Sequence, residues 1–329
     1  MKRVPGYRLG GKVLAGVLAA AIVGVPQVAQ AEPAAVNPPA DSEVTPFEAL
    51  RVMPLGDSIT RGTGTTTLNG YRAALAHRLF LGGMKINYVG SQSNGTGSDT
   101  QHEGHGGYNI DELSAGLDDW LAQARPDIVL LHAGTNTIKE GEGAYAAADK
   151  LSALIDQIRV ARPQAYIFVA QVISSRVPEE LADDRAYNRL IPPMVAAKND
   201  PLITVVNQST VGGIDLHDLR HPNEFGYSKM AYNWYTAMAR VFQLSGDTGA
   251  NPYRATSARR CMSVKTYVKG EEQHRTECLV WHLRTTNGKR TWQTLRTAKQ
   301  SYRVRVNGKT QTRTRLVKKW TGPGNLLNV

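Results

Sequence analysis

The sequence has little of what a membrane protein requires. Near the amino terminus, apolar and small residues run for only 13 positions, from Val13 to Val25, whereas a membrane-spanning helix needs about 20. Basic residues precede this run and Ala29-Gln30-Ala31 follows it, which is the order of a secretory signal peptide. We therefore predict cleavage after Ala31 and a secreted, extracellular protein, with a retained membrane anchor as the alternative.

Cysteine is also scarce, because the chain of 329 residues contains only Cys261 and Cys278. Two cysteines are too few for an all-cysteine metal site. In an exported protein an even number favours disulfide formation over free thiols, so we predict one disulfide between Cys261 and Cys278. Closing so short a loop would stabilise the fold by about 3 kcal/mol in the chain-entropy description.

Acidic residues are rare in the last part of the chain. Residues 246–329 hold 18 lysines and arginines against 4 aspartates and glutamates, so the net charge of +11 comes wholly from this part. Such a surplus attracts polyanions in a salt-dependent manner, and interleaved aromatic residues fit either sugar rings or single-stranded nucleic acid. Export makes nucleic acid the less favoured partner, so we expect an anionic cell-wall polymer or acidic polysaccharide; a merely solvated surface is the alternative. The aromatic residues are Trp281, Trp292, Tyr302 and Trp320.

The chain falls into four parts: a signal peptide at 1–31, a spacer rich in proline and alanine at 32–46, a main domain at 47–245 and the basic part at 246–329. In the main domain, short apolar runs alternate with amphipathic helical patterns, which predicts a three-layer α/β/α sandwich around a parallel sheet of five strands. The expected strands are Arg51–Leu55, Lys85–Val89, Asp127–Leu131, Ala165–Ile173 and Leu202–Val206.

Five helical patterns lie between and after these strands. The first is stopped by Gly82-Gly83, and the fourth, at 182–198, is expected to be interrupted by Pro192-Pro193. In the basic part, Asn287-Gly288 and Asn307-Gly308 separate runs rich in Thr, Val, Tyr and Trp. Each dipeptide is a strong signal for a two-residue hairpin, so we predict a small antiparallel β-rich module there.

A serine lies where open parallel sheets place their active sites. Ser58 follows the first strand, and Gly56 permits a sharp turn before it. A serine nucleophile needs a base within hydrogen-bond reach. The segment Asp218-Leu219-Arg220-His221-Pro222-Asn223 supplies one, because His221 can face Ser58 while Asp218 accepts a hydrogen bond from its other ring nitrogen.

Two further segments offer donors for an oxyanion. Asn136 follows the third predicted strand in Ala133-Gly134-Thr135-Asn136, and its side-chain amide can point at a carbonyl under attack. Gly107 lies in the glycine-rich segment His102-Glu103-Gly104-His105-Gly106-Gly107-Tyr108, where the backbone can approach a reacting centre closely. The backbone N–H of Ser58 would complete the hole.

Histidines outside this set have simpler interpretations. His217 and His221 around an acid imitate a zinc motif, but Pro222 disfavours the helix that such a motif needs, so no metal is expected. His102 and His105 lie in a glycine-rich segment that is not helical, so we expect structural or substrate-contacting roles for them rather than metal binding. His132 is expected to be a hydrogen-bonded histidine of the core. Asp57 is expected to hold its turn, and Trp120 and Trp234 to lie in the core.

The blocks GDSIT, HEGHGG, GTN and DLRHPN, in this order, resemble those of the SGNH/GDSL hydrolase superfamily. The resemblance implies a flavodoxin-like sheet and ester hydrolysis without metal or cofactor. It assigns Ser58 as nucleophile, His221 as base, Asp218 as its partner, and Gly107 and Asn136 as oxyanion-hole donors. Thr137 stands where the family usually has aspartate, which predicts a weaker, uncharged hold on the Asn136 loop.

Within this superfamily, RVMPLGDSIT, GYR, HEGHGG and HPNEFGY most resemble the secreted bacterial carbohydrate esterases that remove acetyl groups from xylan. The expected function is therefore a secreted serine esterase acting on short acyl esters, chiefly acetyl esters of polysaccharide. A lipase or arylesterase of the same superfamily is the first alternative. The second is a protein without activity that binds cell wall or polysaccharide through its basic module.

Overall fold

The computed structural model describes residues 49–246, 249–268 and 271–323, and the side chains of 261–277 are outside this description. The predicted signal peptide and spacer also lie outside the described residues. In the described part of the chain, no helix has both the length and the apolar character needed to cross a membrane.

A parallel sheet forms the centre of the main domain, in the order β2-β1-β5-β6-β7. This is the flavodoxin-like order that the superfamily resemblance implied, and the predicted α/β fold is confirmed. The central strand β5 is buried along its whole length, as its continuous apolar sequence requires. The strands are β1 (Leu50–Gly56), β2 (Ile86–Tyr88), β5 (Ile128–His132), β6 (Tyr166–Gln171) and β7 (Ile203–Asn207).

Two short strands at the sheet edge were not predicted. The strands β3 (Gln92–Ser93) and β4 (Gln101–Gly104) form an antiparallel pair, and β4 continues the edge beyond β2 by pairing with the end of β1, where Leu55 lies opposite Glu103. No apolar pattern indicates a strand here, because the residues that β4 buries completely are the polar His102 and Glu103.

In the part of the chain that the structure describes, α-helices cover both faces of the sheet. α3, α5 and α6 pack on one face, and α2 and α7 on the other. On the second face Trp234 is fully buried, as predicted. The helices are α1 (Ser58–Arg61), α2 (Arg72–Leu81), α3 (Ile110–Ala124), α4 (Thr135–Lys139), α5 (Ala144–Ala161), α6 (Leu181–Ala197) and α7 (Glu224–Phe242), with 3₁₀ turns at Gly213–Asp215 and Pro252–Arg254.

The predicted interruption of α6 at Pro192-Pro193 is wrong, since the helix continues through both residues. Pro192 has no N–H to donate to the carbonyl of Asn188, four residues earlier. That carbonyl instead accepts a hydrogen bond from the Gln171 side chain at 2.6 Å. A partner from the neighbouring strand thus replaces the lost helical bond, which no local pattern reveals.

The basic part folds as an antiparallel sheet in the order β8-β9-β10-β11. Its turns are the two predicted Asn-Gly pairs, and at both the asparagine and the glycine have positive φ, between 50° and 75°, as a type I′ hairpin requires. The predicted hairpins are confirmed. The strands are β8 (Ser257–Val268), β9 (Glu271–Thr286), β10 (Lys289–Val306) and β11 (Lys309–Thr321).

This sheet packs on the main domain through its aromatic residues. Trp281 is fully buried and clusters with Ile214 and Ala258, while Trp292 meets Phe225 edge to face with ring centroids 5.8 Å apart. Trp281 therefore stabilises the junction with the α/β layers and is not accessible to a ligand, contrary to the role considered for it from the sequence.

The two cysteines lie opposite each other on β8 and β9, where the register pairs Cys261 with Cys278. Directly opposed residues of antiparallel strands have Cα atoms about 4.5–5.5 Å apart, which is within the span of a disulfide. The disulfide remains a prediction that this register supports.

Candidate active site

Ser58 is presented by a tight junction between β1 and α1. At Gly56, a Cβ atom would lie 2.1 Å from the carbonyl oxygen of His132, so only glycine fits where the chain turns out of the sheet. Asp57 then caps α1 by accepting a hydrogen bond from the Ile59 N–H at 2.8 Å, the local role expected for it. Burial raises the pKa of Asp57 to about 6, although this hydrogen bond opposes the shift.

The catalytic triad residues predicted from the sequence meet at this junction. Ser58 Oγ lies 2.9 Å from His221 Nε2, although 163 positions separate the two residues, and His221 Nδ1 lies 2.8 Å from Asp218 Oδ2. Both distances fall in the range required for proton transfer. A hydroxyl, an imidazole and a carboxylate are thus aligned as nucleophilic catalysis by serine would require.

The loop that carries Asp218 and His221 is closed by its own hydrogen bonds. Asp218 Oδ1 accepts from the N–H groups of Arg220 and His221, each at 2.8 Å, and the His217 N–H donates to the carbonyl of His221 at 2.7 Å. Burial alone would raise the pKa of Asp218, but hydrogen bonds from His221 and Arg220 outweigh burial and hold that pKa well below its usual range. Asp218 therefore remains a carboxylate.

A residue of the C-terminal sheet also holds this loop. Arg260 on β8 is 2% exposed, and its Nη2 donates to the carbonyl of His217 at 2.5 Å. Sequence reasoning missed Arg260, because it is one of many basic residues in a segment that reads as a surface. Its neighbour Arg259 is exposed, and only the fold distinguishes the two.

A cavity of about 320 Å³ opens beside Ser58 and is lined by His221, Gly107 and Asn136. Asn136 Nδ2 donates one hydrogen bond to the carbonyl of Tyr108 at 2.9 Å, which fixes the amide and leaves its second N–H for the cavity. Gly107 has φ +92°, and a Cβ there would meet open space, so its backbone borders the cavity directly. The structure thus brings together all five predicted site residues.

The side chain of Thr137 holds the Asn136 loop through an uncharged hydrogen bond. It is fully buried on α4, and its Oγ1 accepts from the N–H of Ile110, the first residue of α3, at 3.1 Å. A hydroxyl in this position thus engages a helix N-terminus, where a carboxylate would add a charge interaction. The predicted weaker hold concerns this contact and remains a prediction.

The glycine-rich segment is held by an interaction that the sequence did not show. His105 stacks between Tyr108 and Trp120, with ring centroids 4.8 and 4.3 Å away, and its Nε2 lies 2.6 Å from the buried Glu103. Glu103 also accepts from the N–H and hydroxyl of Ser91. His105 therefore has the structural role that we allowed for it, and Trp120 stacks on this ring rather than lying wholly in the core.

Two further histidines, His102 and His132, are buried. His102 Nδ1 accepts from the Gly104 N–H at 2.9 Å, and burial lowers the pKa of His102 to about 3. His132 is also buried, and burial lowers its pKa to about 4. Neither of its ring nitrogens has a hydrogen-bond partner among the described residues, so the predicted hydrogen-bonded core histidine is correct only in its burial. No group of three or more potential metal ligands gathers within the described part of the chain.

Comparison with known families decides how this site is classified. A family model described as GDSL-like Lipase/Acylhydrolase family matches residues 55–229, which is more than half of the chain and includes all four sequence blocks. The chain belongs to this family. The resemblance inferred from the blocks is thereby confirmed, and acyl ester hydrolysis is the chemistry that the family description names.

Relatives of this GDSL-family chain include several esterases. A family 3 carbohydrate esterase from Clostridium thermocellum is 32% identical and superimposes with a TM-score of 0.54, covering 60% of this chain and 98% of the other. A family 3 carbohydrate esterase from Talaromyces cellulolyticus, 24% identical with a TM-score of 0.52 and coverage of 60% and 100%, shares the fold. A multidomain esterase from Ruminococcus flavefaciens is 27% identical over 56% of this chain, which spans only 28% of that protein's length.

Proposed function

We propose that the protein is a secreted serine esterase that removes short acyl groups, chiefly acetyl, from polysaccharide. The observation that carries this proposal is the 2.9 Å contact between Ser58 Oγ and His221 Nε2 at the wall of the cavity. Family membership and the named activities of the esterase relatives support it.

The geometry favours a two-step mechanism through an acyl-enzyme. His221 accepts the Ser58 proton as Oγ attacks the ester carbonyl, and the negative oxygen is stabilised by the N–H groups of Ser58, Gly107 and Asn136. The intermediate collapses, the C–O bond to the sugar breaks, and His221 returns the proton to the departing alcohol. Water, deprotonated by His221, then attacks the acyl-enzyme and releases the carboxylic acid and Ser58.

The length of the acyl chain distinguishes the proposed esterase from a lipase. A cavity of about 320 Å³ lies at the small end of ligand sites, and it accommodates an acetyl group more readily than a long chain. We expect the full chain to release acetate from acetylated xylan and its activity on p-nitrophenyl esters to fall steadily from acetate to octanoate. Faster hydrolysis of octanoate would favour the lipase alternative, and hydrolysis of no ester would favour the binding protein without activity.

Arg260 is expected to act as a positioning residue for the catalytic loop. Arg260→Gln removes the hydrogen bond to the His217 carbonyl, so Asp218 and His221 lose part of their support, and a small misplacement is costly for proton transfer. We expect kcat to fall about tenfold with little change in KM, and the acid limb of the pH profile to shift. The matched control is the exposed neighbour, Arg259→Gln; equal effects of both variants would exclude this role.

We also propose that the C-terminal sheet binds an anionic polysaccharide. On its solvent side the Arg284 guanidinium lies 3.9 Å from the ring centroid of Trp320, and Arg315 lies 5.4 Å from that of Tyr302. Cations stacked on partly exposed aromatic rings offer both charge and a flat apolar surface. Co-sedimentation of the full chain with insoluble acidic polysaccharide at low salt tests this; a Trp320→Ala variant that sediments like the wild type would contradict it.

Secretion rests on the amino-terminal sequence, which lies outside the described residues. We propose that the mature protein begins at Glu32, after the Ala29-Gln30-Ala31 site. Mass spectrometry of the protein recovered from the medium tests this proposal and, compared before and after reduction, also tests the Cys261–Cys278 disulfide. A retained amino terminus would favour the membrane anchor.

A further inference from the structure

Positive charge is concentrated at the cavity beside Ser58. Arg61, Lys139 and Arg220 line the cavity together with the catalytic groups, whereas no aspartate or glutamate is among its described lining residues. Two of these cations have the same placement: Arg61 lies three residues after Ser58 on α1, and Lys139 lies three residues after Asn136 on α4. Each short helix thus carries a catalytic group at its start and a cation one turn later.

Two of the three cations are not neutralised by the protein. Arg220 forms a bidentate ion pair with Glu180, so its charge is compensated. Arg61 and Lys139 are exposed, and neither has a carboxylate within ion-pair distance in the described part of the chain. Their charges are therefore available to a ligand in the cavity.

The carboxylates around the site are all occupied elsewhere. Asp57 caps α1, Asp218 accepts from His221, Glu103 binds Ser91 and His105, and Glu140, beside Lys139, accepts from Asn109. None of them forms an ion pair with Arg61 or Lys139, so the described residues supply no internal anion to this part of the cavity.

The Arg61 guanidinium is placed next to the oxyanion segment. A Cβ at Gly106 would lie 3.2 Å from Arg61 Nη1, so the absence of a side chain at Gly106 lets the guanidinium lie along the backbone immediately before Gly107. An anionic group on the substrate, close to the ester under attack, would lie in the same cavity as this guanidinium and the Lys139 ammonium.

We infer that Arg61 and Lys139 bind the carboxylate of an acidic sugar, so that the preferred substrate is an acyl ester on a uronic-acid-containing polysaccharide. This inference rests on the proposed esterase function and specifies its substrate class. Arginine and lysine both pair with carboxylates, arginine through two parallel hydrogen bonds. A cavity of one charge sign also raises the local concentration of oppositely charged substrate.

The test compares two acetyl esters that differ only at C6, which is a carboxylate in the O-acetyl ester of methyl glucuronoside and a hydroxymethyl group in the matching ester of methyl glucoside. For the wild type at low salt, we expect kcat/KM to be about tenfold higher for the glucuronoside, since each exposed ion pair contributes a factor of about two to five. The preference should decrease as ionic strength rises. In the double variant Arg61→Gln/Lys139→Gln, the ratio should approach one.

The control removes the same number of charges elsewhere. Arg185 and Arg189 are exposed on α6 and do not line the cavity, so Arg185→Gln/Arg189→Gln should keep the tenfold preference. A wild type that hydrolyses both esters equally, or a double variant that loses activity on both esters to the same degree, would overturn the inference while leaving the esterase function intact. A wild type that hydrolyses neither ester, nor p-nitrophenyl acetate, would overturn the proposed function and this inference with it.

Discussion

Ser58→Ala is expected to lower kcat on p-nitrophenyl acetate by about 10⁴- to 10⁶-fold, because it removes the atom that forms the acyl-enzyme. The proposed oxyanion donors at Gly107 and Asn136 remain, so a small residual rate above the uncatalysed reaction should persist. Stability should change little, since Ser58 is only partly buried and its hydroxyl contacts the solvent-accessible His221 ring.

The measurement is kcat with each variant checked for an unchanged thermal unfolding midpoint. Ser114→Ala is a suitable control, because the Ser114 hydroxyl bonds Gln157 on the outer helices, and we expect wild-type activity from it. If Ser58→Ala keeps full activity, Ser58 is not the nucleophile and the proposed mechanism is wrong.

The second large effect is expected for Asp218→Asn, with kcat falling about 10²- to 10⁴-fold. The carboxylate accepts a hydrogen bond from His221 Nδ1 and thereby leaves Nε2 free to accept the Ser58 proton. An asparagine can donate to Nδ1 instead, which stabilises the opposite tautomer. The Asp218 side chain is 47% exposed, so water can reach His221 Nδ1. If water accepts the Nδ1 hydrogen bond in place of the carboxylate, the loss of kcat will be nearer 10²-fold.

The stability difference between the wild type and Asp218→Asn should depend on pH. Because the pKa of Asp218 is lower in the folded protein than its ordinary value, the ionised group stabilises the folded state above pH about 4, and this contribution is lost as pH falls through the folded-state pKa. The wild type should therefore exceed Asp218→Asn in stability at neutral pH and lose that advantage in strong acid. The control is Asp119→Asn, at an exposed position on α3. If Asp119→Asn lowers kcat as much as Asp218→Asn does, Asp218 is not the residue that orients His221.

Much of the architecture could be predicted because it depends on local pattern. A continuous apolar run such as Ile128–Leu131 indicates a strand buried on both faces, and the repeat of Leu75 and Leu79 indicates the inner side of α2. The Asn-Gly pairs specify their hairpins, because few residues other than Asn and Gly adopt positive φ readily. In each case the evidence lies within a few consecutive residues.

The site could be predicted for a different reason. Serine hydrolysis requires a particular set of groups, and the blocks containing Ser58, Gly107, Asn136, Asp218 and His221 occur in an order typical of one superfamily. The chemistry thus specified which distant residues should meet. The chemistry did not specify which contacts hold these residues in place. Trp120 stacks on His105, and His105 contacts Glu103, but no local sequence pattern indicates either contact.

The sequence by itself determined the layers of the main domain, the two hairpin turns and the identity of the five site residues, because periodicity, turn chemistry and reaction chemistry are properties of residue types in order. Only the tertiary structure decided that Gln171 lets α6 continue through Pro192 and that Arg260 rather than Arg259 holds the loop of Asp218 and His221. It also decided that Arg61 and Lys139 line the cavity with no carboxylate partner among the described residues. Each of these depends on which side chain a neighbouring element brings within hydrogen-bond or ion-pair distance, and residue order alone does not encode that proximity.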